Sequence, residues 1–402
     1  MEPVDILVVG GLYPKELEEE VIQKSSATIG FAASAHLSQI LKGLDLALGR
    51  PVPFLNILPV GSYPKRYRDF IIRGFPFSHS NGAKDWNMGY CNLTVVKKLS
   101  KYLRLKKQLR LWLKHGGSQK AVIFYEAENT YLSCVKWLKK KGIRVCLILP
   151  DLPAFLNLDK KIGPIYRMYI AQHNKKLDDA LVYIDRFVLL TDAMADYLSL
   201  DKGRYVLMEG IADLDDNYRP APLPPSDLKT IVYTGGLAKK FGIPELLEAF
   251  SKIPNPDYRL VICGSGEMAE EIREAAKKDG RILLKGALPH QEAVALQRTA
   301  TVLVNPRMPK EDFTKYSFPS KTIEYMMAAR PVLMFRLPGV PEEYDPYLNY
   351  FSSQLSMPDD IIRLCAKKEA ELAAIGRQAR QFVLEQKNCK VQAERILRCM
   401  EL

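Results

Sequence analysis

Residues 317–324, with the sequence SFPSKTIE, place hydroxyl groups, a lysine and a carboxylate at the start of a predicted helix. Ser320 and Lys321 precede Glu324 by four and three residues, so these side chains would share one part of the helical surface. Ser317, Ser320 and Lys321 at a helix N-terminus suit a phosphate, and a carboxylate behind them suits sugar hydroxyls. The pattern favours a nucleotide-sugar site, although a capping serine and a local Lys321–Glu324 pair would explain the helix alone.

Other candidate residues follow predicted strands in the same half of the chain. They are Gly235, Gly236, Lys239, Lys240, Gly264 and Arg307. Ligands of doubly wound sheets bind at the carboxyl ends of the strands, where glycine lets a ligand approach the backbone closely. Lys239 or Lys240 would neutralise a diphosphate. Each feature alone also fits a tight turn or a surface cation, but their gathering in one half-chain favours a phosphate-bearing ligand.

The elements that would position these residues are short apolar runs separated by helical patterns. Such alternation predicts an α/β fold with parallel sheets. The runs are 5–14, 52–60, 120–126, 144–151, 185–192 and 204–210 in the first half, and 230–236, 258–267, 281–289, 301–307 and 331–339 in the second. We therefore expect two doubly wound, Rossmann-like domains.

The predicted domains are separated by an acidic and proline-rich segment, residues 212–229, which reads as a linker. The first domain is expected over 1–210 and the second over 211–387. Residues 388–402 carry an apolar helical face and are expected to pack back on the first domain.

Composition limits the function classes. The chain has 402 residues, a net charge of +12 and a pI near 9.2, which favours anionic partners. Its seven cysteines form no CxxC motif and its five histidines lack ligand spacing, so neither a disulfide framework nor a metal site is expected. The N-terminus lacks a basic region and no apolar run approaches the ~20 residues of a membrane span, which predicts a cytoplasmic protein.

Residues 94–117 contain eight lysines and arginines, no acidic residue and an apolar stripe that includes Leu99, Leu103 and Leu109. A basic amphipathic helix of this kind is a candidate for an anionic membrane surface, here the inner face of the membrane. The alternative is an ordinary domain helix with one solvated face.

The segments TGGLAKKFGIPELLEAF, VICGSGE and SFPSKTIEYMMAARPVLM resemble the donor domain of GT-B glycosyltransferases, specifically retaining glycosyltransferase family 4. The resemblance covers about residues 230–340 and is nearest to the bacterial capsule and exopolysaccharide type. It implies two Rossmann-like domains facing across a cleft. It also implies transfer from a nucleoside-diphosphate sugar, with UDP the expected carrier, to a glycan or polyprenyl-linked acceptor. No metal or other cofactor is implied.

The resemblance also assigns roles to residues. Glu324 matches the second glutamate of the family's E-x7-E motif, which binds the donor ribose, and Lys240 matches the lysine that holds the diphosphate. Gly235 and Gly236 match the glycine-rich turn, and Ala287 and Leu288 belong to the segment that reads the nucleobase. Because catalysis here is mainly positioning and charge neutralisation, Lys240, Arg307 and Glu324 are the expected catalytic residues.

Two positions depart from the family pattern. Tyr316 stands where the first glutamate of the motif would contact the transferred sugar. Ala329 stands where the family usually ends this helix with glycine, so a left-handed backbone there would carry a penalty.

The first half should supply the acceptor side. Its candidates at strand ends are Gly11, Glu126 and Asp151, each of which also fits a turn or cap. The residues leave open an epimerase of the same architecture and a basic, non-enzymatic nucleic-acid-binding protein. The transferase reading predicts no nucleic-acid partner. The sequence leaves the sugar, the base, the acceptor and the oligomeric state open.

Overall fold

A computed structural model describes residues 4–26, 29–115, 117, 119–155, 163–214, 227–310 and 312–402. The chain forms two compact units, the first comprising Met1–Met208 with Cys389–Leu402 and the second Glu209–Asn388. The sequence had placed these boundaries at 210/211 and 387/388. Residues 215–226, which make up most of the predicted linker, lie outside the described residues.

The first unit is built on an eight-stranded sheet with the order β10-β9-β8-β7-β1-β2-β5-β4 and on a separate pair, β3-β6. The sheet is parallel except for the β4–β5 pair, and β3 and β6 are antiparallel. The strands are β1 Asp5–Gly10, β2 Phe54–Asn56, β3 Ile71–Ile72, β4 Phe75–Phe77, β5 Asp85–Asn87, β6 Tyr90–Cys91, β7 Lys120–Tyr125, β8 Arg144–Leu149, β9 Arg186–Leu189 and β10 Tyr205–Leu207.

Helices cover both faces of this sheet, which is why its central strands are apolar after their first residue. In β7, for example, every residue from Ala121 to Tyr125 is buried. The helices are α1 Glu18–Lys24, α2 Phe31–Leu48, α3 Lys97–Leu113, α4 Asn129–Lys140, α5 Pro164–Leu181 and α6 Asp192–Tyr197.

The second unit has a fully parallel sheet with the order β13-β12-β11-β14-β15-β16. The strands are β11 Lys229–Thr234, β12 Tyr258–Cys263, β13 Ile282–Gly286, β14 Val302–Asn305, β15 Val332–Met334 and β16 Asn349–Tyr350. The helices are α7 Ile243–Ser251, α8 Ala269–Lys278, α9 His290–Arg298, α10 Lys321–Met327, α11 Met357–Cys365 and α12 Glu369–Gln386. This is the doubly wound architecture expected from the sequence.

Each of the two large sheets has one position where the strand order reverses direction. In the first unit it lies between β1 and β7, and in the second between β11 and β14. Loops leaving neighbouring strands on opposite faces of the sheet open a crevice there, and ligands of such folds bind in it. Gly11 follows β1 and Glu126 follows β7, whereas Gly235 follows β11 and Arg307 lies two residues beyond β14.

The last helix, α13 Cys389–Cys399, packs against α2 of the first unit. Gly43 of α2 makes this close approach possible, because a Cβ atom at that position would lie 2.1 Å from the carbonyl oxygen of Cys389. Ile396 and Met400, which belong to the apolar face expected for residues 388–402, are buried. The carboxyl-terminal helix therefore belongs to the first unit.

The His79 side chain lies between two carboxylates near the edge of the first sheet. Its Nδ1 lies 2.8 Å from Asp85 and its Nε2 3.1 Å from Asp45, and the side chain is 7% exposed. Burial alone would lower the pKa of His79, but the hydrogen bonds to Asp45 and Asp85 outweigh it and raise the pKa to about 9. The imidazole is therefore a structural cation at neutral pH.

This cluster predicts a loss of stability in mild alkali. A pKa raised above the unfolded value stabilises the fold fully below pH 6.5 and loses that contribution as pH rises through about 9. The first unit should lose on the order of 3 kcal/mol more between pH 6.5 and 10 than a His79→Gln variant does. Urea unfolding monitored by tryptophan fluorescence measures this loss of stability, since Trp86, Trp112 and Trp137 all lie in the first unit. Identical pH profiles for the wild type and His79→Gln would contradict it.

Candidate functional site

Glu324 lies one turn into α10, at the carboxyl-terminal edge of the second sheet. Both carboxylate oxygens accept hydrogen bonds from Lys321 Nζ, at 2.9 and 2.8 Å, and Oε1 also accepts one from Gln297 Nε2. A carboxylate offers about four acceptor positions, so these bonds leave room for one ligand hydroxyl. A second hydroxyl would have to displace Lys321, whose side chain is 35% exposed. The local Lys–Glu pair considered from the sequence is present, and it is compatible with a ligand.

Gln297 is the positioning residue that the sequence did not reveal. It is fully buried in α9, where its Nε2 donates to Glu324 and, at 2.7 Å, to the hydroxyl of Thr234 at the end of β11. The Tyr325 hydroxyl lies 2.8 Å from the Thr234 backbone nitrogen. The only sequence signal was a glutamine on the inward side of an amphipathic helix. Its contacts link Glu324 rigidly to the central strand.

Arg307 is a buried cation at the position where the strand order reverses. It is 7% exposed, donates one hydrogen bond of 2.7 Å to Ser317 Oγ and stacks 4.3 Å from the centroid of the Phe313 ring. Within the described part of the chain, its Nε has no hydrogen-bond partner and no carboxylate pairs with it. Burial lowers the pKa of Arg307 to about 10, so it remains charged at neutral pH. The solvated surface arginine considered from the sequence is therefore excluded.

The structure distinguishes the surroundings of Lys239 and Lys240, which the sequence could not do. Lys240 Nζ lies 5.7 Å from the centroid of the Phe313 ring, on which Arg307 also stacks. Lys239 instead points away, 66% exposed and 3.8 Å from Glu271. Gly242 brings this turn onto the end of β14: its φ is +79°, and a Cβ atom there would lie 2.0 Å from the Pro306 carbonyl oxygen. Lys240 and Arg307 thus form a pair of cations around one aromatic ring.

The glycine turns after β11, β12 and β13 touch one another. Gly264 has a φ of +149°, and a Cβ atom on it would lie 1.8 Å from the Gly235 carbonyl oxygen. Its amide donates a 2.8 Å hydrogen bond to Gly286, directly before Ala287 and Leu288. Gly236 lies beside the Phe241 ring. The structure therefore gathers these candidates along one edge of the second sheet.

The start of α10 differs from the expected phosphate-binding helix. The helix has seven residues and begins at Lys321, and the exposed Ser320 before it forms no capping side-chain bond. Ser317 contacts Arg307 instead, and its hydroxyl donates to the Phe313 carbonyl oxygen at 3.1 Å. Tyr316 ends the preceding turn, half-buried. The cations of the site therefore come mainly from Arg307 and Lys240.

Ala329, two residues beyond the end of α10, has a φ of +57°, the left-handed conformation that glycine adopts without strain. The family's usual glycine would fit this backbone better than the alanine present here. The position is also tightly packed, because a Cβ atom on Gly376 would lie 2.1 Å from the Ala329 carbonyl oxygen.

The acceptor-side candidates lie together at the carboxyl ends of β1, β7 and β8 in the first unit. Glu126 has a φ of +71°, a strained conformation for a non-glycine residue and one that is common at functional sites. The residue is exposed, yet partial desolvation of its carboxylate, together with the charges of Glu128 and Asp151, raises its pKa to about 7. Desolvation also raises the pKa of Asp151. A Cβ atom on Gly11 would lie 3.0 Å from the Ile57 carbonyl oxygen and 3.1 Å from the Pro59 side chain.

Helix α3 approaches this acidic group with its first turns. Lys101 Nζ lies 3.1 Å from Glu128 and 5.0 Å from the centroid of the Tyr90 ring, and Lys97 donates to the Val60 carbonyl oxygen at 2.7 Å. Burial would raise the pKa of Glu128, but Lys101 outweighs it and lowers that pKa. Burial, with the nearby Lys101 charge, lowers the pKa of Lys97 to about 8.

The outer face of α3 is less regular than the sequence predicted. Leu109 is buried with Leu105, whereas Leu99 and Leu103 of the predicted stripe point outward. Over the described residues, no helix is long and apolar enough to cross a membrane. The same residues contain no group of three or more histidine, cysteine or carboxylate side chains suited to a metal ion.

The second unit matches a known family. Residues 228–390 match the family model described as "Glycosyl transferases group 1". These residues form a glycosyltransferase group 1 domain. The match covers the edge that carries Gly235, Lys240, Arg307 and Glu324. None of the curated proteins compared with the chain matches its sequence.

Several solved structures share the fold of the whole chain at 15% sequence identity or less. Sucrose-phosphate synthase from Thermosynechococcus elongatus is 15% identical with a TM-score of 0.64, covering 99% of this chain and 98% of that one. The lipopolysaccharide outer core galactosyltransferase WaaB is 13% identical with a TM-score of 0.64, covering 98% and 99%. A UDP-forming α,α-trehalose-phosphate synthase from Burkholderia xenovorans, in complex with glucose-6-phosphate, is 13% identical with a TM-score of 0.61, covering 99% and 100%. The two Rossmann-like domains of the GT-B fold, expected from the sequence, are confirmed, and the chain carries a glycosyltransferase domain.

Proposed function

We propose that this protein is a retaining glycosyltransferase that transfers a sugar from a UDP-sugar to a glycan or polyprenyl-linked acceptor in polysaccharide biosynthesis. The observation that carries the proposal is the buried Arg307 guanidinium, which has no carboxylate partner among the described residues and shares the Phe313 ring with Lys240. Burying a cation without a counter-ion is costly, so an anionic ligand is expected to complete the site. A nucleoside diphosphate supplies that charge.

The glycosyltransferase domain supports this reading, and so do two of the similar structures. One is named as UDP-forming, and WaaB is named as a lipopolysaccharide outer core galactosyltransferase. The retaining stereochemistry is proposed from the resemblance of residues 230–340 to family 4. In the donor unit Glu324, held by Gln297 and Lys321, would bind the ribose, while Ala287 and Leu288 would lie against the base.

The proposed reaction needs no protein-bound cofactor or metal. The acceptor hydroxyl oxygen forms a bond to the anomeric carbon as the bond from that carbon to the diphosphate oxygen breaks. The acceptor proton passes to the departing diphosphate, and Lys240 and Arg307 stabilise the negative charge that develops there. Gly11, Glu126 and Asp151 would line the acceptor site of the first unit.

Incubation with a panel of nucleotide sugars tests the function. A cognate donor at 100 times its dissociation constant should stabilise the protein by about 2.7 kcal/mol in a thermal-shift assay. With acceptor present, free UDP should accumulate and the product should keep the anomeric configuration of the donor. Epimerised donor without free UDP would establish the epimerase instead. Steeply salt-dependent binding to DNA or RNA without nucleotide-sugar binding would establish the nucleic-acid-binding alternative.

Lys240→Ala should lower kcat on the order of a hundredfold with a smaller change in KM. The reason is that a cation beside the leaving group matters most as its charge develops in the transition state. Lys239→Ala is the matched control, because the neighbouring lysine is exposed and paired with Glu271. Steady-state kinetics with the cognate donor measure both variants. A silent Lys240→Ala beside a damaging Lys239→Ala would reverse the assignment.

We also propose that the protein works at the inner face of a membrane, on which the outer face of α3 rests. No acidic residue occurs from Trp86 to Tyr125, a stretch with nine lysines and arginines. A basic surface with exposed leucines suits anionic lipid headgroups. Sedimentation with phosphatidylglycerol vesicles should show binding that weakens with salt, and no binding at low salt would remove this part of the proposal.

A further inference from the structure

A groove of about 610 Å³ opens on the first unit between the β3–β6 pair and α3. Its volume lies in the range of small-molecule binding sites. Phe70, Ile71, Trp86 and Leu93 are among the residues that line it, and they are 53%, 54%, 40% and 41% exposed. Large apolar side chains clustered around a concave surface indicate a binding site more than ordinary surface variation.

The apolar surface continues from the groove along α3. Val95, Leu99 and Leu103 follow one another at intervals of four residues and are 93%, 59% and 56% exposed. Leu99 and Leu103 lie in one row on α3, and Val95 lies two residues before the helix begins at Lys97. An apolar strip therefore leads from the groove along the helix that we propose rests on a membrane.

The groove is also lined by two exposed arginines. Arg73 and Arg104 both line it, and in the described part of the chain neither guanidinium forms an ion pair. Free guanidinium groups beside an apolar channel match a ligand with a hydrocarbon body and a phosphate group. A neutral hydrocarbon would need neither arginine, and a free phosphate would not need the aromatic and aliphatic lining.

The groove also reaches the acceptor side of the first unit. Tyr90 lines the groove, and its ring lies 5.0 Å from Lys101 Nζ, which pairs with Glu128. Ser100 accepts a 2.9 Å hydrogen bond from the amide of Cys91 and so fixes the start of α3 against β6. Contacts through the Tyr90 ring and the Lys101 side chain therefore connect the groove to Glu128.

We propose that this groove binds the hydrocarbon chain of a lipid-linked acceptor and that Arg73 and Arg104 bind the phosphate joined to that chain. The proposal rests on the proposed function and selects its polyprenyl-linked acceptor over a free glycan. The chain enters along the strip from Val95 to Leu103, and the glycan end lies towards Glu126. The groove thus holds the acceptor by its lipid carrier.

Farnesyl phosphate, an isoprenoid phosphate, is the probe, titrated below its micelle concentration into the full-length protein. Trp86 lines the groove, so binding should change the tryptophan fluorescence, and calorimetry gives the affinity. Farnesol should bind about tenfold more weakly because it lacks the phosphate, and inorganic phosphate alone should show no saturable binding. Equal affinity for farnesol and farnesyl phosphate would overturn the role of the arginines.

Paired variants distinguish the role of the two arginines from that of the apolar lining. Arg73→Gln with Arg104→Gln should weaken farnesyl phosphate binding about tenfold and leave farnesol binding unchanged. Ile71→Asp should weaken both ligands. Arg110→Gln, on the exposed side of α3, and Val182→Asp, an exposed apolar position outside the groove, are the matched controls and should change neither affinity.

Other occupants of the surface give different results. Binding to phosphatidylglycerol vesicles without binding of farnesyl phosphate by the free protein would mean a membrane surface only, and would overturn the groove. A change of oligomeric state in Ile71→Asp with unaltered lipid affinity would mean a protein interface, and would also overturn it. UDP binding, measured on the same samples, reports the second unit. If the protein binds UDP but not farnesyl phosphate, only the groove proposal fails. If it binds farnesyl phosphate but not UDP, the proposed transferase fails, and the acceptor role of the groove fails with it.

Discussion

Glu324→Ala is expected to lower the affinity for the UDP-sugar donor by about 2–3 kcal/mol, the cost of removing a charged hydrogen-bond acceptor from ligand hydroxyls. Gln297 and Lys321 hold the carboxylate in place, and it is 23% exposed, so it is both oriented and accessible. Calorimetric titration with UDP and with the cognate donor measures the loss. The fold should remain intact, because the residue lies at the surface of the unit.

The matched control is Glu274→Ala, which removes an exposed glutamate from another Lys–Glu pair, with Lys277 at 2.6 Å and a spacing of three residues. Donor affinity should not change in that variant. Gln297→Leu should weaken donor binding less than Glu324→Ala does, since it removes a positioning contact and leaves the carboxylate. If Glu324→Ala binds the donor as tightly as the wild type, the residue has no place in the donor site.

Lys387→Met should destabilise the second unit by about 3–5 kcal/mol, the range found when one partner of a buried ion pair is removed. Lys387 is fully buried and forms a salt bridge to Glu209 and a 2.5 Å contact to Glu343. Tyr344 donates a 2.8 Å hydrogen bond to Glu209, and its ring lies 5.1 Å from Lys387 Nζ. Methionine fills the space but leaves Glu209 buried without its cation.

This effect is best measured by hydrogen exchange of the β11, β12 and β14 amides, because all three tryptophans report the first unit. Lys252→Met, at an exposed lysine of the same unit 2.7 Å from Glu248, is the control and should change stability by less than about 0.5 kcal/mol. The double variant Lys387→Met with Glu209→Gln should recover much of the loss. Unchanged protection in Lys387→Met would show that the network contributes little.

The chain leaves the second unit beside the same network, since that unit ends at Asn388. The Lys387 carbonyl oxygen accepts a 2.7 Å hydrogen bond from the amide of Ala212, so the two ends of the second unit are tied together next to the ion pair. Glu209 and Lys387 are 178 residues apart, and no local pattern in the sequence indicated that they meet.

The sequence by itself determined the two doubly wound domains and the strand ends at which candidates stand. Continuous apolar runs such as KAVIFY identify strands buried on both faces, and the glycines after them identify turns. These are local signals, readable from neighbouring residues. Glu324, Lys321 and Ser320 were likewise found because helical spacing places them on one surface. The β3–β6 pair was missed because two-residue strands have no detectable period.

The tertiary structure alone decided which of these residues share an environment. Gln297 reaches Glu324 because α9 and α10 pack on the same edge of the sheet. Lys240 and Lys239 have different surroundings because Gly242 brings their turn close to Pro306. Arg307 is buried with no carboxylate paired to it among the described residues, and its sequence neighbours gave no sign of this. Burial and charge pairing depend on contacts between distant parts of the chain, whereas periodicity depends on neighbours, and this is why the sequence identified the candidates and the fold decided how they are arranged.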